Sequence, residues 1–147
     1  MCLSGCLAAG IGTEMPRRRF RNLALSWLFE IDLGHADPKA VLARSAEESS
    51  PAHRAAHQAV LGVLGMQAQA DQIIGQLAKD WSIERMPPID RNILRLAIWE
   101  MVSGLSPAVA INEAVELAKA YGAEDSPAFI NGVLAGYLKR EEGALSG

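Results

Sequence analysis

The 147-residue chain is poor in aromatics, 5% of its residues, and has only two cysteines. Strands favour β-branched and aromatic runs, and this chain is rich in alanine instead. The scarcity therefore argues for closely packed helices over sheets. Cys2 and Cys6 both lie at the extreme N-terminus, a poor place for a structural disulfide, and a folded part without cysteine fits a cytosolic protein. No apolar run reaches the ~18 residues of a membrane span. There is no glycine-rich phosphate loop and no Gly-x-Ser-x-Gly, and neither cysteine stands in an ordered element beside a histidine. The motifs therefore argue against an enzyme and call for no cofactor. Positive charge is in deficit as well, with 14 Lys and Arg against 17 Asp and Glu, a formal net charge of −3.

Half of the residues are hydrophobic, enough to bury a core in one domain of this length. The chain reads as amphipathic helices punctuated by Pro and Gly. A first helix is predicted from about Arg17 to Leu33, with Gly34 as its stop. Phe20, Leu23, Ala24, Trp27, Leu28 and Ile31 form its apolar stripe, while Leu25 and Phe29 point to the opposite side. That helix is either sandwiched between neighbours or presents an apolar patch. Asp37-Pro38 and Ser50-Pro51 each pair an N-cap with a proline at the first helical position, opening a short second helix and a third running to about Lys79. Gly62, Gly65 and Gly75 weaken the third helix, and close helix packing is the plain reason for small residues there.

Trp81 to Pro88 reads as a linker, since Pro87-Pro88 forbids helix. It is the expected boundary between an N-terminal lobe, about 16–80, and a C-terminal lobe, about 88–140. IDRNILRLAIWEMV is apolar almost all round, the mark of a central, buried helix. Ser106-Pro107 opens the next helix, closed by Gly122, and Asp125-Ser126-Pro127 opens the last. Residues 141–147 are expected to be a flexible tail. At the other end, LSGC resembles a lipoprotein cleavage site at Cys6, but only five residues precede it and none is basic. Residues 1–15 are therefore expected to be a disordered extension, with Met15 an alternative start.

Against the acidic background, PRRRFRN stands out. Arg17, Arg18, Arg19 and Arg21 are four of the 14 basic residues; the remaining 10 (14 − 4) face 17 acids, a net of −7. A helix N-terminus disfavours cations, at ~0.3–1 kcal/mol each. The cluster is either a solubilising charge run or a site for anions, and arginine grips phosphate bidentately. Acidic flanks favour a short single-stranded RNA over a long duplex track.

Other constellations are weaker. HRAAH places His53 and His57 at metal-pair spacing, but a zinc protease needs Glu where Arg54 stands, and no third ligand is evident. Those turns are expected to face solvent, and no metal site is expected. Glu113 and Glu116 read as a solvated face, with Glu116 and Lys119 as an ion pair one helical turn apart. AKAYGAEDSPAFINGVL makes an abrupt helix-turn-helix corner where Lys119, Tyr121, Asp125 and Phe129 either cluster outside or serve as core edge and cap.

Through these residues the chain resembles a known family. VAINEAVELAKAYGAEDSPAFINGVL is similar to the C-terminal half of the bacterial transcription antitermination factor NusB family. IDRNILRLAIWEM and RRRFRNLALSWLFEIDL match the same family in the same order, so the resemblance spans about Pro16 to Leu138. It implies an all-α fold of about six to seven helices in two small bundles sharing a core. It implies a non-enzymatic, cytoplasmic, RNA-binding role. The partner would be the small-subunit ribosomal protein that doubles as NusE. The pair would bind boxA RNA of nascent transcripts, notably from rRNA operons, and help RNA polymerase read through terminators. By the same resemblance Arg17, Arg18, Arg19, Arg21, Lys119, Tyr121, Asp125 and Phe129 are RNA-binding, and Phe29 and Asp90 are partner-binding. Self-association of the free chain into a homodimer stays open. So do two other readings: a helical protein-interaction module, and the N-terminal domain type of an rRNA cytosine methyltransferase.

Overall fold

A computed structural model describes residues 14–34, 36–46 and 50–146; side chains of 14–18, 45–46 and 144–146 fall outside the description. Among the described residues six helices follow one another: α1 Glu14–Asp32, α2 Pro38–Ala46, α3 Pro51–Leu77, α4 Pro88–Val102, α5 Pro107–Tyr121 and α6 Ser126–Ser146. The all-α class predicted from composition is the class observed, and no strand occurs among the described residues. No helix among them is long and apolar enough to cross a membrane. The expected extension over 1–15 lies almost wholly outside the described residues.

Several helix starts follow the predicted caps. The Lys39 amide donates to Asp37 Oδ1 at 3.4 Å, and the His53 amide donates to Ser50 Oγ at 3.1 Å, each satisfying an N-terminal N–H that the helix leaves open. Pro38, Pro51, Pro88 and Pro107 are each the first residue of a helix, where a missing N–H costs nothing. Gly34 ends α1 in the left-handed region at φ 75°, which glycine enters without strain.

The chain divides into two compact units, one through Gly65 and one from Met66 onward. The division falls inside α3, where Met66 leaves helical geometry at φ −124°, ψ 16°, and not at the Trp81–Pro88 linker that proline placement suggested. A side chain at Gly65 or Gly75 would meet nothing within 4 Å, so close packing does not explain these glycines.

In the first unit α1 packs on α2. Phe20, Ala24, Leu25, Trp27 and Leu28 are buried, and Phe29 is half-buried. Burial of Leu25 opposite the main stripe settles the earlier alternative in favour of a helix covered on two sides. The first turns of α3 are not solvent-facing as expected: Ala52, Ala55, Ala56 and Ala59 are buried. His53 is occupied by structure, its Nδ1 lying 2.8 Å from Ser50 Oγ and its ring centroid 5.8 Å from that of Trp27.

In the second unit α4, α5 and α6 pack on one another. α4 is buried along most of its length, Ile93, Leu94, Leu96, Ala97, Ile98 and Trp99 included, as its apolar circumference predicted. That burial takes Arg95 with it, 4% exposed. Its Nε and Nη2 donate to Asp71 Oδ1 and Oδ2 at 2.7 and 2.8 Å, and Nη1 donates to Asn92 Oδ1 at 3.1 Å. The bidentate pair ties the second half of α3 to α4. α6 continues through Ser146 where a flexible tail was expected, and Arg140 donates to Gln76 Oε1 at 2.6 Å. Removing one member of a buried ion pair strands the other. Arg95 keeps Asn92 as a partner and Asp71 is part-exposed, so Asp71→Ala is expected to lower the urea-unfolding free energy by about 2 kcal/mol, within the range for a hydrogen bond to a charged group; a loss below about 0.5 kcal/mol would show the pair to be incidental.

Candidate functional site

The predicted site residues fall in both units, and each group is described within its own unit. In the first, α1 begins at Glu14, three residues before the predicted start. Arg18 onward then lies beyond the first turn, where the penalty for cations fades. Arg17 and Arg18 have no described side chains. Arg19 is exposed. Arg21 departs from expectation: it is 2% exposed, has a polar partner, and its guanidinium carbon lies 4.9 Å from the centroid of the buried Phe20 ring. The helical period puts it inward, so Arg21 holds α1 in place and does not offer its charge to solvent.

In the second unit the α5–α6 corner is outward on one side. Tyr121 is 50% exposed, and Lys119 is exposed with its Nζ 3.2 Å from Glu116 Oε2, the predicted pair. Glu113, predicted on the same solvated face, is instead buried and polar-partnered. Gly122 closes α5 with an extended backbone, φ −91° and ψ −174°, which any residue adopts. Its necessity is steric: a Cβ there would lie 2.7 Å from both Cβ and Oγ of Ser126. That close approach fixes Ser126, which is 1% exposed and accepts the Ala123 amide at 2.9 Å.

Ser126 in turn hydrogen-bonds the carboxylate of Asp90 in the first turn of α4. Asp90 is 5% exposed, and its Oδ1 is the one buried side-chain polar atom among the described residues with no hydrogen-bond partner. Burial pushes its pKa above the ordinary aspartate range; the Ser126 bond opposes this and the charge of Asp125 adds to it. Asp90, Asp125, Ser126, Phe129 and Trp81 together line a pocket of about 390 Å³, counting its open mouth. Sequence reasoning divided Asp90 from Asp125 and Phe129 by role, yet they share this pocket, whereas Lys119 and Tyr121 are not among its lining residues. It also missed Trp81, reading it as linker. The available signal was a large aromatic, 50% exposed here, kept in a proline-rich connection of an aromatic-poor chain. Among the described residues no cluster of three or more His, Cys, Asp or Glu is placed to hold a metal ion.

The described residues form six helices, with Arg19 exposed near the start of α1 and one pocket lined by Asp90, Asp125, Trp81 and Phe129, and so define a small all-helical protein. The chain belongs to the NusB family, whose model matches residues 18–139. It is 42% identical over 135 residues to the transcription antitermination protein NusB of Desulforamulus reducens, covering 88% of this chain and 94% of that one. To the NusB of Acidothermus cellulolyticus it is 46% identical over 125 residues, covering 82% and 86%. Among solved structures it resembles T. maritima NusB, with TM-score 0.72, 31% identity and coverage of 84% and 90%. It also resembles a chain in the crystal structure of antitermination factors NusB and NusE in complex with dsRNA, with TM-score 0.73, 27% identity and coverage of 87% and 99%.

An acid whose pKa rises on folding contributes stability below its unfolded pKa and loses it as pH rises toward the folded value. The charged form of Asp90 therefore weakens the fold at neutral pH. Asp90→Asn is expected to melt at higher temperature than the parent at pH 7 and to lose that advantage toward pH 4; circular-dichroism melts across that range check it, and equal midpoints at pH 7 would remove the argument.

Proposed function

We propose that this chain is a non-enzymatic, cytoplasmic RNA-binding adaptor for transcription antitermination. It pairs with the NusE-type ribosomal protein and with it binds boxA RNA of nascent transcripts, notably from rRNA operons, so that RNA polymerase reads through terminators. The observation that carries this reading is the likeness, along 87% of the chain, to a protein crystallised with NusE and RNA.

Within it, Arg17, Arg18 and Arg19 neutralise phosphates at the start of α1, a sequence-tolerant and salt-sensitive grip. Lys119 adds charge, and the half-exposed Tyr121 offers a ring on which a base stacks. Arg21 supports this segment from inside. Phe29 and Asp90 serve the protein partner. Asp125 and Phe129 belong to the RNA-facing corner, and they share a pocket lining with Asp90. The acidic remainder of the chain discourages binding elsewhere.

Fluorescence anisotropy of a labelled boxA-like single-stranded RNA, with and without partner and at several salt concentrations, tests the proposal. Arg19→Ala is expected to weaken binding and make the log–log salt slope shallower by about 0.7, the share of one phosphate contact on a single strand. If replacing Arg17, Arg18 and Arg19 together by alanine leaves affinity and slope unchanged, the arginines are a solubilising segment only.

A further inference from the structure

A groove in the second unit plays no part in the adaptor reading. It is lined by the later turns of α3, the end of α4 and α6, and has a volume of about 860 Å³, counting its open mouth. The chain's five glutamines all lie between residues 58 and 76, and three of them, Gln69, Gln72 and Gln76, line this groove. Their spacing of three and four residues sets them on one face of α3. All three are exposed, and each carboxamide offers both donors and an acceptor. Ile73 and Val102 add apolar wall; Val102 is 60% exposed at the end of a helix buried along most of its length. Among the described residues of the lining, Arg140 alone is charged.

The frame of the groove is held on two sides. The Arg95–Asp71 pair ties α3 to α4, and Arg140 reaches from α6 to Gln76 Oε1 at 2.6 Å. A Cβ at Gly136, one turn before Arg140, would lie 3.4 Å from Leu77 Cδ2, so α6 and α3 run close together beside the groove. The acceptor of the Arg140 bond is a neutral amide oxygen. The bond therefore positions the guanidinium without neutralising it, and a guanidinium in that state suits a carboxylate. A framed site of this kind gains affinity because little ordering is left to do on binding.

We propose that this groove is a docking site for an extended acidic segment of another protein. An aliphatic side chain of that segment packs on Ile73 and Val102, the glutamine carboxamides pair with its main-chain amides, and its carboxylate meets Arg140. Gln69 to Gln76 spans about 10 Å at ~1.5 Å per residue, the length of about three residues of extended chain. Charge complementarity selects the acid, because the lining has a cation and no acidic residue. RNA fits less well. A single strand is gripped by several cations and by aromatic faces on which bases stack, and the described lining offers one cation and no aromatic ring. The site is separate from the Asp90 pocket: Val102 lies 12 residues (102 − 90) further along α4, about 18 Å at ~1.5 Å per residue. The inference goes beyond the adaptor reading and does not depend on it.

The side-chain amide signals of Gln69, Gln72 and Gln76, followed by NMR on the full chain, test it. The probe is the peptide acetyl-Gly-Leu-Glu-Leu-Glu-Gly-amide. Its neutral counterpart is acetyl-Gly-Leu-Gln-Leu-Gln-Gly-amide, and hexauridylate supplies the competing chemistry. Saturable shifts of these amides are expected with the acidic peptide, which binds about fivefold more tightly than the neutral one, the upper range for a solvent-exposed ion pair. Arg140→Gln is expected to abolish that preference, Arg140→Lys to keep part of it, and Val102→Ser to weaken both peptides. Both positions are exposed, and unchanged melting midpoints verify that the variants are folded. Equal affinity of the parent for the two peptides overturns the proposal, as does a preference that survives Arg140→Gln. Shifts with hexauridylate alone make the groove an RNA surface, and shifts on concentrating the chain by itself make it a self-contact; either result overturns the proposal, as does no shift with any probe.

Discussion

The carboxylate of Asp90 is the group on which the second unit's surface is organised. It sits in the first turn of α4, where Pro87 and Pro88 begin the helix and the N-terminal dipole end favours negative charge. Burial works against that charge. Ser126 supports it through one hydrogen bond, and Ser126 is in place only because residue 122 lacks a side chain. The α5–α6 corner, the start of α4 and the Trp81 loop thus meet around one acid whose second oxygen has no partner. A neutral side chain such as asparagine would avoid that desolvation, so the aspartate carries a cost in stability at neutral pH.

Two sets of charges in this protein work against folding, and they have opposite signs. Arg17 lies in the first turn of α1, where the dipole disfavours cations, and Asp90 is a buried acid with one oxygen unpartnered. Each is an unfavourable arrangement that a ligand of opposite charge would relieve. The whole chain carries a formal net charge of −3, and the arginine cluster is a local exception to it.

Much of this was readable in the residues. Asp37, Ser50 and the prolines marked helix starts, since capping is a local interaction between residues two or three apart. The burial of α4 followed from an apolar circumference, and the Glu116–Lys119 pair from spacing alone. What was not readable depends on contacts between distant segments. The pattern suggests RNA binding for Arg21 and a solvated face for Glu113, yet both are buried; a polar residue on the inward side of a helix is recognised only once its partner is known. Arg95 was passed over in an apolar helix because Asp71 lies 24 positions away. Trp81 was masked by prolines that signalled linker. Gly122 was read correctly as the end of α5, yet the reason is the crowding of Ser126 and not a left-handed backbone.

Burial and Asp125 hold the Asp90 carboxyl against its charged form, opposed by the Ser126 hydrogen bond; relief of that cost on binding the NusE-type protein is what the proposed partner role of Asp90 requires. The most direct measurement is the titration of the Asp90 side-chain carboxyl by ¹³C NMR, in the free chain and in complex with the NusE-type protein. The expected result is a pKa above the ordinary aspartate range in the free chain and a fall on complex formation. A pKa that is ordinary in the free chain, or that is raised and unmoved by the partner, would contradict it.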